Sequence, residues 1–306
     1  MGEEISRSQA LPEPIRIRSN GIELSVHVAG DGPSVLLVHG FPDLAVSWRH
    51  QMGALVGAGY QVVVPDMRGY GASDRPPATE TYDAATIGED LIGVLDALKV
   101  GRAAVVGHDW GANSVWPLAF SHPERVRGIV GLSVPFAPAA PVSPLEVMER
   151  RLGRDFYMLR FQAHGPAEHF LEGDVRRTFM TMFSDLAPFD GDGHLVRPSW
   201  LTEEELNVYV ETFTRTGFSG GLNYYRNIER NWRMTRALAD RTTALPALFV
   251  TGDQDAVARF MPATRMAETF RKVRRETVVG AGHWVHQQAP DEINRLLLEF
   301  LAMLPD

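Results

Sequence analysis

A chain of 306 residues that is 44% hydrophobic can bury one large core and still carry a sizeable insertion. Its formal charge of −8, with no long run of Lys and Arg, argues against nucleic acid as a partner. The absence of cysteine excludes disulfides, thiolate metal sites and a cysteine nucleophile, and suits a reducing compartment. The first residues lack the apolar stretch of a signal peptide, and no run of about eighteen apolar residues occurs, so a cytoplasmic protein with no membrane partner is expected. Met1-Gly2 with Ser6 meets a bare myristoylation pattern, which is read here as an ordinary frayed terminus.

In chain order, Ile15 to Arg18 and Ile22 to Ala29 are β-like and flank Asn20-Gly21, a two-residue hairpin signal, so the chain should open with an antiparallel edge. From Ser34 onward, short apolar runs alternate with segments of helical length. The runs are Val35 to Val38, Gln61 to Val64, Ala103 to Val106, Gly128 to Leu132 and Leu248 to Val250, as expected of parallel strands buried on both faces. Helices are predicted over Trp48 to Ala58 and Thr86 to Leu98. A last helix carries Ile293, Leu296, Leu297, Phe300, Leu301 and Leu304 on one stripe that should pack on the sheet. Between Val134 and about Arg241 the alternation stops, and Pro135, Pro138, Pro141 and Pro144 lead into helical spacing without parallel-strand runs. The expected organisation is a flexible tail over 1–14, an α/β core over 15–133 and 242–306, and a helical cap over 134–241 inserted in that core.

Gly107-His108-Asp109-Trp110-Gly111 follows the strand Ala103 to Val106 and precedes a helical segment. This is the form of a nucleophile elbow, in which flanking glycines allow a tight turn that exposes the central side chain. The central residue is Asp109. A serine that displaced a leaving group from an sp³ carbon would leave an ether, with no carbonyl for water to attack. A carboxylate leaves an ester, whose carbonyl carbon water can attack to regenerate the enzyme. Asp109 therefore points to alkyl transfer, in hydrolysis of epoxides or haloalkanes.

Two later segments complete the set in the order of α/β hydrolases. Asp255 lies in Gly252-Asp253-Gln254-Asp255 after the strand Leu248 to Val250, and His283 lies in Gly280-Ala281-Gly282-His283-Trp284 after the β-like Thr277 to Val279. His283 is the candidate base for the hydrolytic water and Asp255 its orienting acid, with Asp253 the competing acid or a turn cap. His39-Gly40-Phe41-Pro42 follows the strand Val35 to Val38, where the backbone N–H groups of Phe41 and Trp110 would form an oxyanion hole and His39 would be structural. His283 and His286 supply at most half of a tetrahedral site, and the glycine-rich segments lack a full dinucleotide fingerprint, so neither metal nor cofactor is expected.

The motifs HGFPD (His39 to Asp43), WRHQ (Trp48 to Gln51), DMRGYGASD (Asp66 to Asp74), GHDWGA (Gly107 to Ala112) and GHW (Gly282 to Trp284) resemble the soluble epoxide hydrolases of the α/β-hydrolase fold. The resemblance implies a mostly parallel sheet flanked by helices with an inserted helical cap, and a small apolar epoxide and water as substrates of a monomer or homodimer. It also implies two cap tyrosines as proton donors to the epoxide oxygen. Leu222-Asn223-Tyr224-Tyr225-Arg226-Asn227 matches one tyrosine motif, with Tyr225 in the role, and Asp155-Phe156-Tyr157-Met158 the other, with Tyr157. Tyr224, about 100° around the helix, is read as packing. Phe41, Pro42, Trp110, Met158 and Trp284 are expected to line the substrate site.

A haloalkane dehalogenase is the alternative, since the Trp110 indole N–H could hold a halide, but Phe41 offers no second side-chain donor. A ligand-binding relative without turnover should lack a member of the catalytic set, and none is missing here. Pro117, inside the segment after the elbow, should break or kink that helix.

Overall fold

A computed structural model describes residues 11–138, 140–189, 195–236 and 240–305. Its strands are β1 (Ile15–Ser19), β2 (Ile22–Ala29), β3 (Ser34–Val38), β4 (Gln61–Pro65), β5 (Ala103–His108), β6 (Val126–Leu132), β7 (Ala247–Gly252) and β8 (Val273–Val278). They form one sheet in the order β1-β2-β4-β3-β5-β6-β7-β8. β1 and β2 form the predicted antiparallel hairpin, with Asn20 and Gly21 both at positive φ (46° and 81°) as a two-residue primed turn requires. β2 pairs antiparallel with β4, and every pair from β4 to β8 is parallel.

The near-continuous apolar runs have a simple cause in the two layers that cover the sheet. Val35, Leu37, Ala104, Val106, Val130, Leu132, Leu248 and Val250 face one core, while Leu36, Val38, Ala103, Val105, Ile129 and Phe249 face the other. The first core is closed by the helices Arg49–Gly57 and Pro290–Ala302; Ile293, Leu296, Leu297, Phe300 and Leu301 of the latter are buried as their spacing predicts, and Leu304, just beyond its end, is buried with them. Each such fully buried leucine contributes roughly 1.5–3 kcal/mol of transfer free energy. The second core packs Ile87, Leu91, Val94 and Leu95 of the helix Ala84–Ala97, which starts at an Asp83 cap accepting from the Thr86 N–H at 2.8 Å.

β8 differs from the sequence expectation. It begins at Val273 and ends before Val279, which is 86% exposed. As an edge strand it places Arg274, Arg275 and Glu276 in the ladder, so only its last residues read as apolar. Pro117 acts as predicted, since the helix Trp110–Val115 ends before it and a separate turn, Leu118–Ser121, follows. The predicted helix at Trp48 begins as a 3₁₀ turn, Ala45–Trp48, and becomes α-helical at Arg49.

Between β6 and β7 the chain forms the helices Pro144–Leu152, Tyr157–Arg160, Pro166–Gly173, Val175–Phe183, Glu203–Thr216, Ser219–Arg226 and Ile228–Arg236. Their starts are written in local chemistry. Pro144 and Pro166 sit in first turns, Asp174 caps Arg177 N–H, and Thr202 with Glu205 forms a reciprocal capping box. Of the expected tail, positions 1–10 lie outside the described residues, while the Pro12 carbonyl accepts from His27 Nδ1 at 2.6 Å and Leu11 packs against the core. Among the described residues no helix is long and apolar enough to cross a membrane.

Candidate active site

Asp109 occupies the turn between β5 and the helix Trp110–Val115 with φ 53° and ψ −118°. This backbone is costly for a residue with a Cβ, and it lifts the carboxylate off the end of the sheet. The turn closes only because glycine follows it: a Cβ on Gly111 would lie 2.0 Å from the Val38 carbonyl oxygen. A Cβ on Gly40 would meet Asp109 Oδ1 at 2.4 Å, so the loop after β3 also approaches the carboxylate as bare backbone. That approach puts the Phe41 N–H 2.8 Å from Asp109 Oδ1. Trp110, the first residue of its helix, has a backbone N–H with no intrahelical acceptor.

The other Asp109 oxygen, Oδ2, faces His283 Nε2 at 3.5 Å, and the far side of that ring places Nδ1 3.2 Å from both oxygens of Asp255. Asp255 is itself fixed by the Val257 N–H at 2.8 Å. Burial alone would lower the His283 pKa, but the charges and hydrogen bonds of Asp255 and Asp109 outweigh it and hold the imidazole well above the ordinary histidine range. Burial acts to raise Asp255, and the His283 ring and the Val257 N–H reverse it, leaving the carboxyl below the usual range. Asp253, the competing acid, accepts from the Gly280 N–H at 2.8 Å and so caps a turn.

Tyr225 stands edge-on over the residues that flank Asp109. Its ring centroid lies 4.8 Å from that of Trp110 and 5.3 Å from that of Phe41. Tyr157 meets it edge to face at 6.1 Å, and Phe161 packs against both. Gln162 ties the two segments together, donating from Nε2 to the carbonyls of Met158 (2.8 Å) and Tyr225 (3.0 Å). Burial, followed by neighbouring negative charge including that of Asp109, raises both phenols, so each keeps its proton and stands as a hydrogen-bond donor. Tyr224 instead turns away, its hydroxyl donating to the Arg68 carbonyl at 2.9 Å, in agreement with a packing role.

The remaining predicted positions fall around this group. Phe41 and Pro42 are buried in the loop after β3 and joined by a cis peptide, and Met158 is half-buried beside Tyr157. Trp284 is 1% exposed, donates its indole N–H to the Met182 carbonyl at 2.9 Å and packs on Phe183, bracing the His283 loop from behind. His39 is structural, as expected: Nε2 accepts from the Met67 N–H and Nδ1 faces the Gly40 carbonyl, both at 3.0 Å.

Beneath the triad lies a group without an assigned role in the sequence reading. His108, His286 and Asp43 are fully buried, with their ligand-type atoms within 4.8 Å of one another. His286 Nε2 and Asp43 Oδ2 are 3.9 Å apart, wider than the roughly 3.4 Å between two ligands of a tetrahedral zinc. Burial pushes Asp43 up to about 7 and His108 down to about 4. His108 supports the site directly, its Nε2 facing the His283 carbonyl at 2.9 Å. Asp185 is a second residue that sequence reasoning missed; it accepts from the His283 N–H at 2.9 Å. No motif marks it, because it comes from the segment between β6 and β7.

Residues 33–290 match the family model described as the alpha/beta hydrolase fold. The chain is 44% identical to epoxide hydrolase A of Mycobacterium tuberculosis, over 94% of this chain and 97% of that protein. It is 40% identical to epoxide hydrolase 1 of Siraitia grosvenorii, over 93% and 96%. Among solved structures, epoxide hydrolase A from Mycobacterium thermoresistibile superposes with a TM-score of 0.91 at 44% identity, covering 96% of this chain and 99% of that one.

Proposed function

Because the chain belongs to the epoxide hydrolase family of the α/β-hydrolase fold, we propose that it converts a small apolar epoxide and water to a vicinal diol through an ester on Asp109. The observation that carries this reading is the gathering of two sets of groups around Asp109. His283 lies at one carboxylate oxygen, and the Tyr225 ring lies over Phe41 and Trp110 with Tyr157 beside it.

With Oδ1 held by the Phe41 N–H, Oδ2 is the oxygen that attacks an epoxide carbon. The carbon–Oδ2 bond forms as the ring C–O bond breaks, and a phenol proton passes to the freed oxygen. Water then adds to Asp109 Cγ while His283 Nε2 takes one of its protons, and the charge that develops on Oδ1 meets the N–H groups of Phe41 and Trp110. Collapse breaks Cγ–Oδ2. The diol leaves with Oδ2 and the proton from His283, and the second water proton returns to the phenolate.

The described helices between β6 and β7 act as the cap in this scheme, supplying Tyr157, Tyr225 and the half-buried Met158 to the side of the site where Tyr225 packs on Phe41 and Trp110. Phe41 has no side-chain donor for a halide, which favours an epoxide over a haloalkane. A chain without cysteine fits a cytoplasmic location.

The tyrosines provide the test. Replacing both Tyr157 and Tyr225 with Phe should slow alkylation of Asp109 by about 10² to 10⁴-fold, the usual worth of general acid assistance, with a smaller effect on epoxide binding. Single-turnover quench-flow with a styrene-type epoxide measures this rate. An undiminished alkylation rate in the double variant would remove the tyrosines from the mechanism and reopen the dehalogenase reading.

A further inference from the structure

The helix Val175–Phe183 ends in a left-handed turn at Asp185, with φ 58°. The Asp185 N–H donates to the Met182 carbonyl and the Leu186 N–H to the Thr181 carbonyl, at 3.1 and 3.3 Å. This is the helix-ending arrangement whose left-handed position is ordinarily glycine, because a Cβ there is strained. Aspartate tolerates this backbone less well than glycine does, and local departures of this kind concentrate where a side chain has other work.

Its carboxylate faces across the fold to the loop that carries His283. Oδ1 accepts from the His283 N–H at 2.9 Å, and Oδ2 accepts from Gln288 Nε2 at 2.8 Å. Gln288 in turn accepts from the Gly282 N–H through Oε1 at 2.6 Å, closing a ring of hydrogen bonds around the loop. A Cβ on Gly282 would lie 2.0 Å from Asp185 Oδ2, so the carboxylate is seated on the loop backbone itself. Three residues before Asp185, the Met182 carbonyl accepts the Trp284 indole N–H. The same helix end therefore grips both sides of His283.

We propose that Asp185 is a positioning residue for His283, a latch by which the helical segment between β6 and β7 sets the base against Asp109. The inference rests on His283 being the base of ester hydrolysis. Attack on the epoxide uses Asp109 and the tyrosines and needs no base, whereas water activation depends on where His283 Nε2 points. Loss of the latch therefore acts on the second step alone.

The experiment compares Asp185→Gly, Asp185→Asn and Gly282→Ala in single turnovers with a styrene-type epoxide, following formation and decay of the alkyl-enzyme by quench-flow mass spectrometry. Asp185→Gly suits the left-handed backbone and removes only the latch, so the ester should form at the native rate and decay about 10²-fold more slowly, the scale of loss for a misplaced catalytic group. Gly282→Ala, which displaces the carboxylate, should show the same defect, and combining it with Asp185→Gly should add nothing further. Asp185→Asn keeps an oxygen acceptor and tolerates the left-handed turn, so it should restore most of the decay rate. Equal slowing of both steps, unchanged decay in Asp185→Gly, or additive losses in the double variant would overturn the proposal. A wrong base assignment shows itself separately, since His283→Gln would then turn over normally.

Discussion

Asp109→Asn should lower diol formation on the order of 10⁶-fold, the loss that follows removal of the nucleophile from a catalytic triad. The amide fits the same turn and can still accept from the Phe41 N–H, so the fold and the loop geometry should survive. What it lacks is a charged oxygen able to displace an epoxide oxygen from carbon. The variant also reports on His283. The Asp109 carboxylate is one of the groups that hold the imidazole above its ordinary range, against the effect of burial. Removing that charge should therefore lower the His283 pKa, with Asp255 still keeping it partly elevated. Alkylation makes the same electrostatic change, because an ester is neutral, so the ring can release to solvent the proton it held beside the anion and stand as the neutral base that takes one from water. An NMR titration of the ring in native protein and in Asp109→Asn measures the shift. Near-native turnover in freshly prepared variant, or a His283 pKa that does not fall, would contradict the assignment.

His283→Gln should separate the two half-reactions. The ring touches Asp109 Oδ2 at one nitrogen and Asp255 at the other, so its removal takes away the proposed base and leaves the proposed nucleophile and its Phe41 donor in place. Ring opening should proceed, ester hydrolysis should stall, and steady-state turnover should fall on the same order of about 10⁶-fold. Intact-protein mass spectrometry after incubation with epoxide should find the full mass of the epoxide added to the chain, and peptide mapping should place it on Asp109. A folded variant that binds epoxide yet stays unmodified would count against a base that acts only in the second step.

The sheet was legible where burial left a continuous signature, in β3, β5, β6 and β7, whose residues alternate between two apolar cores. At β8 only the end, Thr277 and Val278, was legible, because this edge strand carries Arg274, Arg275 and Glu276 ahead of it. Asp109, Asp255 and His283 could be found because each lies just beyond the end of a strand, which limits where a reactive side chain can sit. Tyr157 begins a helix of a single turn, too short for any periodicity to mark, and only its resemblance to a family motif singled it out. Asp185 had neither aid. Its effect on His283 depends on contacts between distant parts of the chain, which no local pattern encodes.

The most direct test of the covalent ester follows the oxygen atom. In one turnover of native enzyme in heavy-oxygen water, with enzyme in excess over epoxide, attack of water on Asp109 Cγ should place the heavy atom in the Asp109 carboxylate and deliver an unlabelled diol. Mass spectrometry of the Asp109 peptide and of the product reads both fates. Heavy oxygen appearing in the first-turnover diol, with none in Asp109, would mean that water attacks the epoxide directly, and the ester mechanism would be wrong.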